Sequence, residues 1–219
     1  GDTRVLKNTT DCFTVHMRKS ENGRTYAHLQ EVIRTGVCKM PTDVRGPSLV
    51  RAAIQIAREN GAEWLELSDE STICKAEEDS VSLSDYYMVT RGKSWYETIA
   101  PFRPKDTEYI EALREVVTTS SWKELLRELR RKKHFVIQPL LQAVTIPPHP
   151  SAPGSAMEAL QSIPREIRCK VYEPILTEIL MAYGYRSLRS TSWYLPLSAD
   201  FDEEEYRRQH TATSTSYVT

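Results

Sequence analysis

The fold is decided by residues 46–68, which read GPSLVRAAIQIARENGAEWLELS. Apolar residues recur there at the three- and four-residue spacing of one helix face, which predicts an amphipathic helix over 49–60. The residues of that face are Leu49, Val50, Ala53, Ile54 and Ala57. Asn60-Gly61 predicts the end of the helix, because glycine adopts the left-handed conformation at little cost. Residues 62–68 then predict a strand, so the chain contains an αβ unit.

A β-hairpin is predicted ahead of this unit. Residues 12–17 alternate in polarity and are rich in β-forming side chains, and residues 25–29 supply a second strand that residues 31–34 can continue. Asn-Gly at 22–23 is the strongest short signal for a hairpin turn. A loop over residues 41–47 then joins the hairpin to the helix.

Helical patterns dominate the middle of the chain. The acidic and polar residues 69–82 first predict an exposed loop. Helices are then predicted over about 83–92, 107–118 and 122–133. Ser121 and Glu124 stand at capping-box spacing and support the start of the third helix. Residues 135–137 and 140–146 are strand candidates.

The last third of the chain predicts further helices and a final strand. A helical stretch is interrupted at Pro164 and Pro174, and a strand follows at 192–197, where Pro196 indicates the edge of a sheet or the end of the strand. The predicted organisation is an α/β domain at 1–146, a Pro-rich linker or loop at 147–155, a helical extension with a final strand packing on that domain at 156–198, and a mobile tail at 199–219.

The composition is that of an ordinary globular protein. With 40% hydrophobic residues, 27% charged residues and a net charge of −1, the chain carries no overall charge that attracts nucleic acid or an anionic membrane. Its apolar runs are shorter than the roughly 20 residues that span a bilayer, so we expect no membrane partner.

The cysteines and histidines predict no metal site. The four cysteines are Cys12, Cys38, Cys74 and Cys169, and no two of them have CxxC spacing. The five histidines are scattered. We expect free thiols in a reducing compartment, the cytoplasm or the nucleus, with two structural disulfides as the alternative.

Three segments carry a resemblance to a known family. Residues 46–53 (Gly-Pro-Ser-Leu-Val-Arg-Ala-Ala) open the helix, residues 57–67 lead it into the strand, and residues 95–97 (Trp-Tyr-Glu) precede 102–104 (Phe-Arg-Pro). In this order they resemble the GNAT N-acetyltransferase family, over roughly residues 12–104. The resemblance implies a central mixed sheet flanked by helices, with the C-terminal helices as an addition, and acetyl-CoA as the cofactor.

The resemblance also implies roles for particular residues. The family binds the pyrophosphate of acetyl-CoA in the loop that opens the helix, which indicates Arg45, Gly46 and Ser48. A helix N-terminus suits phosphate on physical grounds as well, because its N–H groups are unpaired and its dipole is positive there. The family's tyrosine, which protonates the departing thiolate, corresponds to Tyr96.

Carboxylates near the end of the strand are the candidate bases. Glu66, Asp69 and Glu70 stand where a carboxylate next to a cofactor site can deprotonate an amine acceptor. The alternative for the same residues is a solvated acidic loop without a chemical role.

Two functions stay open from the sequence. The first is an acyl-CoA-dependent N-acetyltransferase. The second is a non-catalytic structural or interaction protein on the same scaffold, binding another protein through its C-terminal helices and tail. The loop's single glycine and Pro47, which lacks an N–H, favour the second. Nucleic-acid binding by the basic residues 127–134 is not expected, because cations suit a helix C-terminus and no aromatic residue is interleaved.

Overall fold

The computed structural model describes residues 4–7, 12–32, 38, 46–76, 79–132, 137–144 and 154–211. Its contacts divide the chain into two compact units, each assembled from separate segments. The first unit consists of residues 1–68, 99–106 and 191–219, and the second of residues 69–98 and 107–190. In the described residues, no helix combines the length and apolar character needed to cross a membrane. The predicted linker at 147–155 lies largely outside them.

Helices and strands are mixed along the described chain, which confirms the predicted α/β class. The strands are β1 (Arg4–Lys7), β2 (Phe13–Lys19), β3 (Thr25–Val32), β4 (Trp64–Ser68), β5 (Thr72–Ala76), β6 (Asp79–Ser82), β7 (Arg103–Pro104) and β8 (Ser192–Pro196). The α-helices are α1 (Gly46–Glu59), α2 (Leu83–Arg91), α3 (Thr107–Thr119), α4 (Trp122–Lys132), α5 (Ile137–Ala143), α6 (Ala156–Gln161), α7 (Arg168–Tyr172), α8 (Leu176–Ala182) and α9 (Glu203–Thr211). A 3-10 helix covers Tyr96–Thr98.

The first unit contains a six-stranded mixed sheet with the order β1-β2-β3-β4-β8-β7. β2 and β3 form the predicted antiparallel hairpin, and Gly23 in its turn has a φ of 77°. β3 and β4 run parallel, with Tyr26 opposite Trp64 and Leu29 opposite Leu67. β8 lies antiparallel between β4 and β7. The pattern of the sequence did not predict β1, which adds an outer strand to the hairpin.

Helix α1 connects the parallel strands β3 and β4. Its predicted apolar face is buried, each side chain being at most 5% exposed: Leu49, Val50, Ala53, Ile54 and Ala57. This face packs against β2, β3 and β4. Because β3 and β4 run in the same direction, their carboxyl ends share one edge of the sheet, and the chain leaves β3 at that edge to enter α1. Ligands of open α/β sheets bind outside such carboxyl ends.

Helices and strands end at prolines and at a glycine where the sequence predicts breaks. Pro164 and Pro174 lie between α6, α7 and α8, because proline cannot continue an i→i−4 hydrogen-bond ladder. Gly184, with a φ of 89°, follows α8. Pro196 is the last residue of β8, which lies inside the sheet, so the proline marks the end of the strand rather than an edge.

The prediction of a mobile tail at 199–219 is wrong for the residues of α9. Tyr206 in this helix is 4% exposed and packs against Trp64 and Tyr194 in an aromatic cluster of the first unit. Burial of this aromatic surface holds the helix in place, although its other residues are mostly charged. Residues 212–219 lie outside the described part of the chain.

The second unit consists of α2 to α8 and a hairpin of β5 with β6. The predicted helices α2, α3 and α4 are present, and Ser121 donates its N–H to Glu124 at 3.0 Å in the predicted capping box of α4. The exposed loop predicted over 69–82 is wrong, because β5 pairs with β6 there. Val81 and Asp69 are buried at 2% and 1% exposure, which a solvated loop would not achieve.

A second local prediction is also wrong in this unit. The strand predicted over 140–146 is replaced by α5, in which Leu140 and Ala143 are buried on one side. Short apolar runs do not distinguish a strand from a buried helix. Pro139 in the first turn favours the helix, since proline's missing N–H has no helical partner at that position.

The cysteines are not the predicted free thiols. Cys12 and Cys38 form a disulfide with a Cα–Cα distance of 4.4 Å, and Cys12 is fully buried. Cys169 is disulfide-bonded as well. The alternative of structural disulfides therefore holds for these three residues, because the fold brings together sulfurs that are far apart in the sequence.

Candidate functional site

Two of the predicted catalytic residues meet in the second unit through a serine. Asp69 follows β4 in the chain, and its Oδ1 accepts a hydrogen bond from the Ser71 N–H at 3.0 Å. The Ser71 hydroxyl lies 3.0 Å from the hydroxyl of Tyr96. Asp69 is 1% exposed and Tyr96 4% exposed. We refer to these three residues as the Asp69 cluster.

The Asp69 carboxyl is arranged to accept a proton near neutral pH. Burial raises its pKa to about 7 from an ordinary 3.8, and the negative charge of Asp85 acts in the same direction, while hydrogen bonds from Ser71 and Ser84 oppose both. Its Oδ2 is buried and has no hydrogen-bond partner among the residues that the structure describes. Glu70, the neighbouring candidate, is exposed and pairs with Arg189 at 3.4 Å. Asp69 is therefore the stronger candidate for a base in this unit.

The Tyr96 hydroxyl keeps its proton at physiological pH. Burial raises the pKa of Tyr96 above its ordinary value, and the charge of Asp69 raises it further, against a smaller opposing effect of the Ser71 hydrogen bond. A neutral tyrosine donates a hydrogen bond or a proton to a developing anion. The Asp69 cluster therefore joins a proton acceptor and a proton donor.

A local cap holds the backbone around Tyr96. The Ser94 N–H donates to the Glu97 carboxylate at 2.6 Å, and the Glu97 N–H donates back to the Ser94 hydroxyl at 3.2 Å. Arg114 of α3 pairs with Glu97 at 2.6 Å and donates to the Gly92 carbonyl at 2.7 Å. The reciprocal cap and the arginine fix the turn from which the Tyr96 ring enters the interior.

A second buried carboxyl was not predicted from the sequence. Asp85 of α2 is 2% exposed and accepts hydrogen bonds from the Ser187 hydroxyl and the Leu188 N–H. Burial raises the pKa of Asp85, and these hydrogen bonds oppose the effect. Ser82 caps α2 at the Asp85 N–H, so the Ser-x-x-Asp spacing was the available signal. No comparable signal identifies Ser71.

Glu66 belongs to the first unit and has a different environment. Its carboxylate accepts hydrogen bonds from Trp64 Nε1 and the Tyr206 hydroxyl, both at 2.9 Å, and from Lys105 Nζ at 3.1 Å. Burial raises the pKa of Glu66, but the charge of Lys105 and these hydrogen bonds outweigh burial and hold the pKa below its ordinary value. We refer to Glu66, Trp64, Lys105 and Tyr206 as the Glu66 cluster. The lowered pKa makes Glu66 a weaker base than Asp69.

The N-terminus of α1 presents the predicted cofactor-binding residues as far as they are described. Gly46 is the first helical residue and is buried, while Ser48 is exposed. Pro47 removes one N–H but breaks no helical hydrogen bond, because the first turn has no acceptors for its N–H groups. The first turn contains no acidic residue that would neutralise the helix dipole. Arg45 lies outside the described residues.

The remaining candidates give little chemistry. In the basic segment on α4, Arg127 and Arg131 both pair with Glu128, at 3.9 Å and 2.8 Å. Among the residues that the structure describes, no group of three or more His, Cys, Asp or Glu side chains is arranged to bind a metal ion.

Neither a protein-family model nor a curated protein nor a solved structure matches the chain. The resemblance to the GNAT family thus stays a prediction that rests on the residues quoted above.

Proposed function

We propose that the protein is an acyl-CoA-dependent N-acetyltransferase. The observation that carries the proposal is the Asp69 cluster, in which the predicted base and the predicted acid are linked through Ser71. A carboxyl with a pKa near 7 and a tyrosine that stays protonated are suited to moving protons during acyl transfer at neutral pH.

Each residue of the cluster has a defined step. Asp69 takes a proton from the amine acceptor while the amine nitrogen bonds to the acetyl carbon. Tyr96 gives its proton to the thiolate released as the carbon–sulfur bond breaks. Ser71 passes the proton from Asp69 to Tyr96, because its hydroxyl contacts Tyr96 and also hydrogen-bonds the Asp69 carboxylate. The products are an amide and a thiol, and all three residues regain their starting protonation.

Acetyl-CoA supplies the acetyl group, and the N-terminus of α1 is the proposed anchor for its pyrophosphate. Gly46 and Ser48 offer backbone N–H groups, Ser48 adds an exposed hydroxyl, and Arg45 adds a positive charge. The absence of an acidic residue in the first turn fits an anionic ligand.

Thermal melting with acetyl-CoA tests the proposal first. A ligand at 100 times its dissociation constant stabilises the native state by about 2.7 kcal/mol, so we expect a clear rise in Tm. Tyr96→Phe should keep that rise and slow acetyl transfer to a primary amine. Tyr183→Phe is the matched control, because the buried Tyr183 hydroxyl of the same unit has no hydrogen-bond partner within the described ranges. An unchanged Tm at millimolar acetyl-CoA would exclude the enzyme.

A non-catalytic interaction protein is the second candidate, and the burial of the cluster favours it. Asp69 and Tyr96 expose 1% and 4% of their surface, and buried polar groups of this kind also serve to specify a core. Two large apolar side chains of the predicted partner-binding helical region are exposed, Ile167 at 39% and Met181 at 47%. For this candidate, Ile167→Ser with Met181→Ser would abolish partner binding and leave Tm unchanged.

The disulfide also bears on the cellular compartment in which the protein is folded, and its presence can be tested. The predicted cytoplasmic or nuclear location conflicts with a Cys12–Cys38 disulfide, because those compartments keep thiols reduced. We propose an oxidising environment for the folded chain. Alkylation of the native protein without reductant, followed by intact-mass measurement, should leave Cys12 and Cys38 unmodified; their alkylation would restore the predicted location.

A further inference from the structure

The second unit contains a cleft that is separate from the Asp69 cluster. It has a volume of about 480 Å³ and lies between the end of α2, the end of α6 and the start of α7. Its lining residues are Tyr86, Thr90, Arg91, Lys93, Gln161 and Arg168. Three of these six residues are cations and none is acidic, so this basic cleft has a strongly positive lining.

Arg91 and Arg168 of the basic cleft contact the fold through tyrosine rings rather than through carboxylates. Within the described residues, Arg91, Lys93 and Arg168 form no ion pair. They are not needed as caps of α2 either. The Thr90 carbonyl accepts a hydrogen bond from Gln161, and the Gly92 carbonyl accepts one from Arg114. Cations at a helix C-terminus usually bond the last carbonyl groups, and at the end of α2 other residues already do so.

Arg168 gives the most specific sign of a ligand. Its buried Nε has no hydrogen-bond partner in the described part of the chain, which is costly for a charged group unless a ligand supplies the acceptor. Its guanidinium lies 5.1 Å from the centre of the Tyr86 ring, and that of Arg91 lies 4.8 Å from the centre of the Tyr87 ring. The two rings support the flat guanidinium groups, whose N–H donors match phosphate oxygens.

The size and chemistry of the basic cleft indicate the class of ligand. A volume near 480 Å³ is typical of small-molecule sites and exceeds what one phosphate group fills. Three cations balance a ligand with two or more phosphate charges. Single-stranded nucleic acid would require an extended groove with aromatic rings open for base stacking, whereas Arg168 covers the ring of Tyr86.

We propose that the basic cleft binds a small molecule carrying a diphosphate or triphosphate group, with Arg91, Lys93 and Arg168 as its anion-binding residues. Arg168 binds a phosphate group in the plane of its guanidinium, and its buried Nε is one of the donors. Lys93 adds an exposed positive charge at the mouth of the cleft. The proposal concerns the second unit alone and does not depend on acetyl transfer.

Calorimetric titration of the full chain with inorganic pyrophosphate, and separately with ADP, tests this site. The wild type should bind both, and added salt should weaken binding. Arg168→Gln should weaken pyrophosphate binding roughly tenfold or more, since a charge-assisted hydrogen bond is lost. Lys93→Gln should weaken it roughly threefold, since it removes only an exposed charge. Lys170→Gln is the control, because Lys170 is an exposed cation on α7 outside the cleft.

Four results would overturn the proposal. The first is that the wild type binds neither probe at millimolar concentration. The second is that Lys93→Gln, which changes an exposed side chain not needed for folding, binds pyrophosphate as tightly as Lys170→Gln. A third is binding of a single-stranded oligonucleotide that pyrophosphate does not displace. The fourth is loss of stabilisation by acetyl-CoA in Lys93→Gln, which would make the cleft part of the cofactor site. Retained stabilisation with weakened pyrophosphate binding supports a separate site.

Discussion

Glu66 and Asp69 are three positions apart in the sequence, both are largely buried, and their pKa values shift in opposite directions. Glu66 accepts three hydrogen bonds, one of them from a lysine, so its charged form is stabilised. Asp69 receives hydrogen bonds from Ser71 and Ser84 but has no cation among its donors in the described residues, and a second carboxylate, Asp85, lies nearby. Burial alone therefore does not decide the charge of a carboxyl group. The donors that the fold supplies decide it, and they separate a structural anion from a group that can exchange protons.

The largest expected effect is on acetyl transfer. Asp69→Asn should lower the rate roughly 10²- to 10⁴-fold, because the amide cannot accept the proton of the amine. The rate of thiol release from acetyl-CoA with a primary amine measures it. Glu70→Gln is the matched control, since it removes an exposed carboxylate one position away and should leave the rate unchanged. Equal rates for the two variants would contradict the role of Asp69.

The same substitution should stabilise the protein at alkaline pH. Because the folded pKa of Asp69, about 7, lies above its ordinary 3.8, the stability that its protonated form contributes is full below about pH 4 and is lost as the pH rises through 7. Asp69→Asn removes this loss and should raise the free energy of unfolding by about 2–4 kcal/mol at pH 8 relative to wild type, but by little at pH 4. Urea unfolding at both values measures the difference, and a destabilised variant at pH 8 would contradict the assigned shift.

Disruption of the Glu66 cluster should lower the free energy of unfolding instead of raising it. Lys105→Met leaves the Glu66 carboxylate without its cation and should lower the free energy of unfolding by about 1–3 kcal/mol at pH 7. The contribution of Glu66 is present above its ordinary pKa of 4.5 and is lost as the pH falls through the lower folded value, so the wild type and Lys105→Met should converge in acid. Urea unfolding from pH 3 to 7 measures this. A constant difference over that range would show that Glu66 and Lys105 are not coupled.

The smallest effect is expected at the hydroxyl of Tyr206. Tyr206→Phe removes one donor to Glu66 and keeps the aromatic packing of α9, so we expect a loss of about 1 kcal/mol. Tyr185→Phe serves as a control tyrosine outside the Glu66 cluster. Hydrogen exchange of the α9 amides should remain slow in Tyr206→Phe. Rapid exchange there would mean that the hydrogen bond, rather than ring packing, holds the helix.

The sequence predicted the parts of the fold in which local signals agree. The apolar spacing of α1 and its Gly61 stop, the Asn-Gly turn of the hairpin and the Ser121–Glu124 cap of α4 each combine a pattern with a terminator. Helix α9 could not be predicted in this way. Its segment is acidic and polar, and tertiary contacts with distant strands hold it. Tyr206 is buried, and Glu203 accepts a hydrogen bond from the Tyr194 hydroxyl and pairs with Arg103.

The candidate site was predicted only in part. Tyr96 and Asp69 were identified by resemblance and by position in the chain, yet their connection depends on Ser71, an unremarkable residue in a segment expected to be a loop. From the sequence, Glu66 and Asp69 were equivalent candidates. A local pattern does not show that Lys105 and Tyr206, which are distant in the chain, donate hydrogen bonds to Glu66. Long-range donors are what a periodic pattern omits.

A ¹³C NMR titration of the side-chain carboxyl groups tests the opposite pKa shifts of Asp69 and Glu66, with Asp69→Asn and Glu66→Gln spectra to assign the two signals. We expect a midpoint near pH 7 for Asp69 and one below 4.5 for Glu66. A midpoint near 3.8 for Asp69 would contradict this expectation, because an ordinary surface-like aspartate would then stand beside Tyr96 and the proposed proton transfer would lose its base.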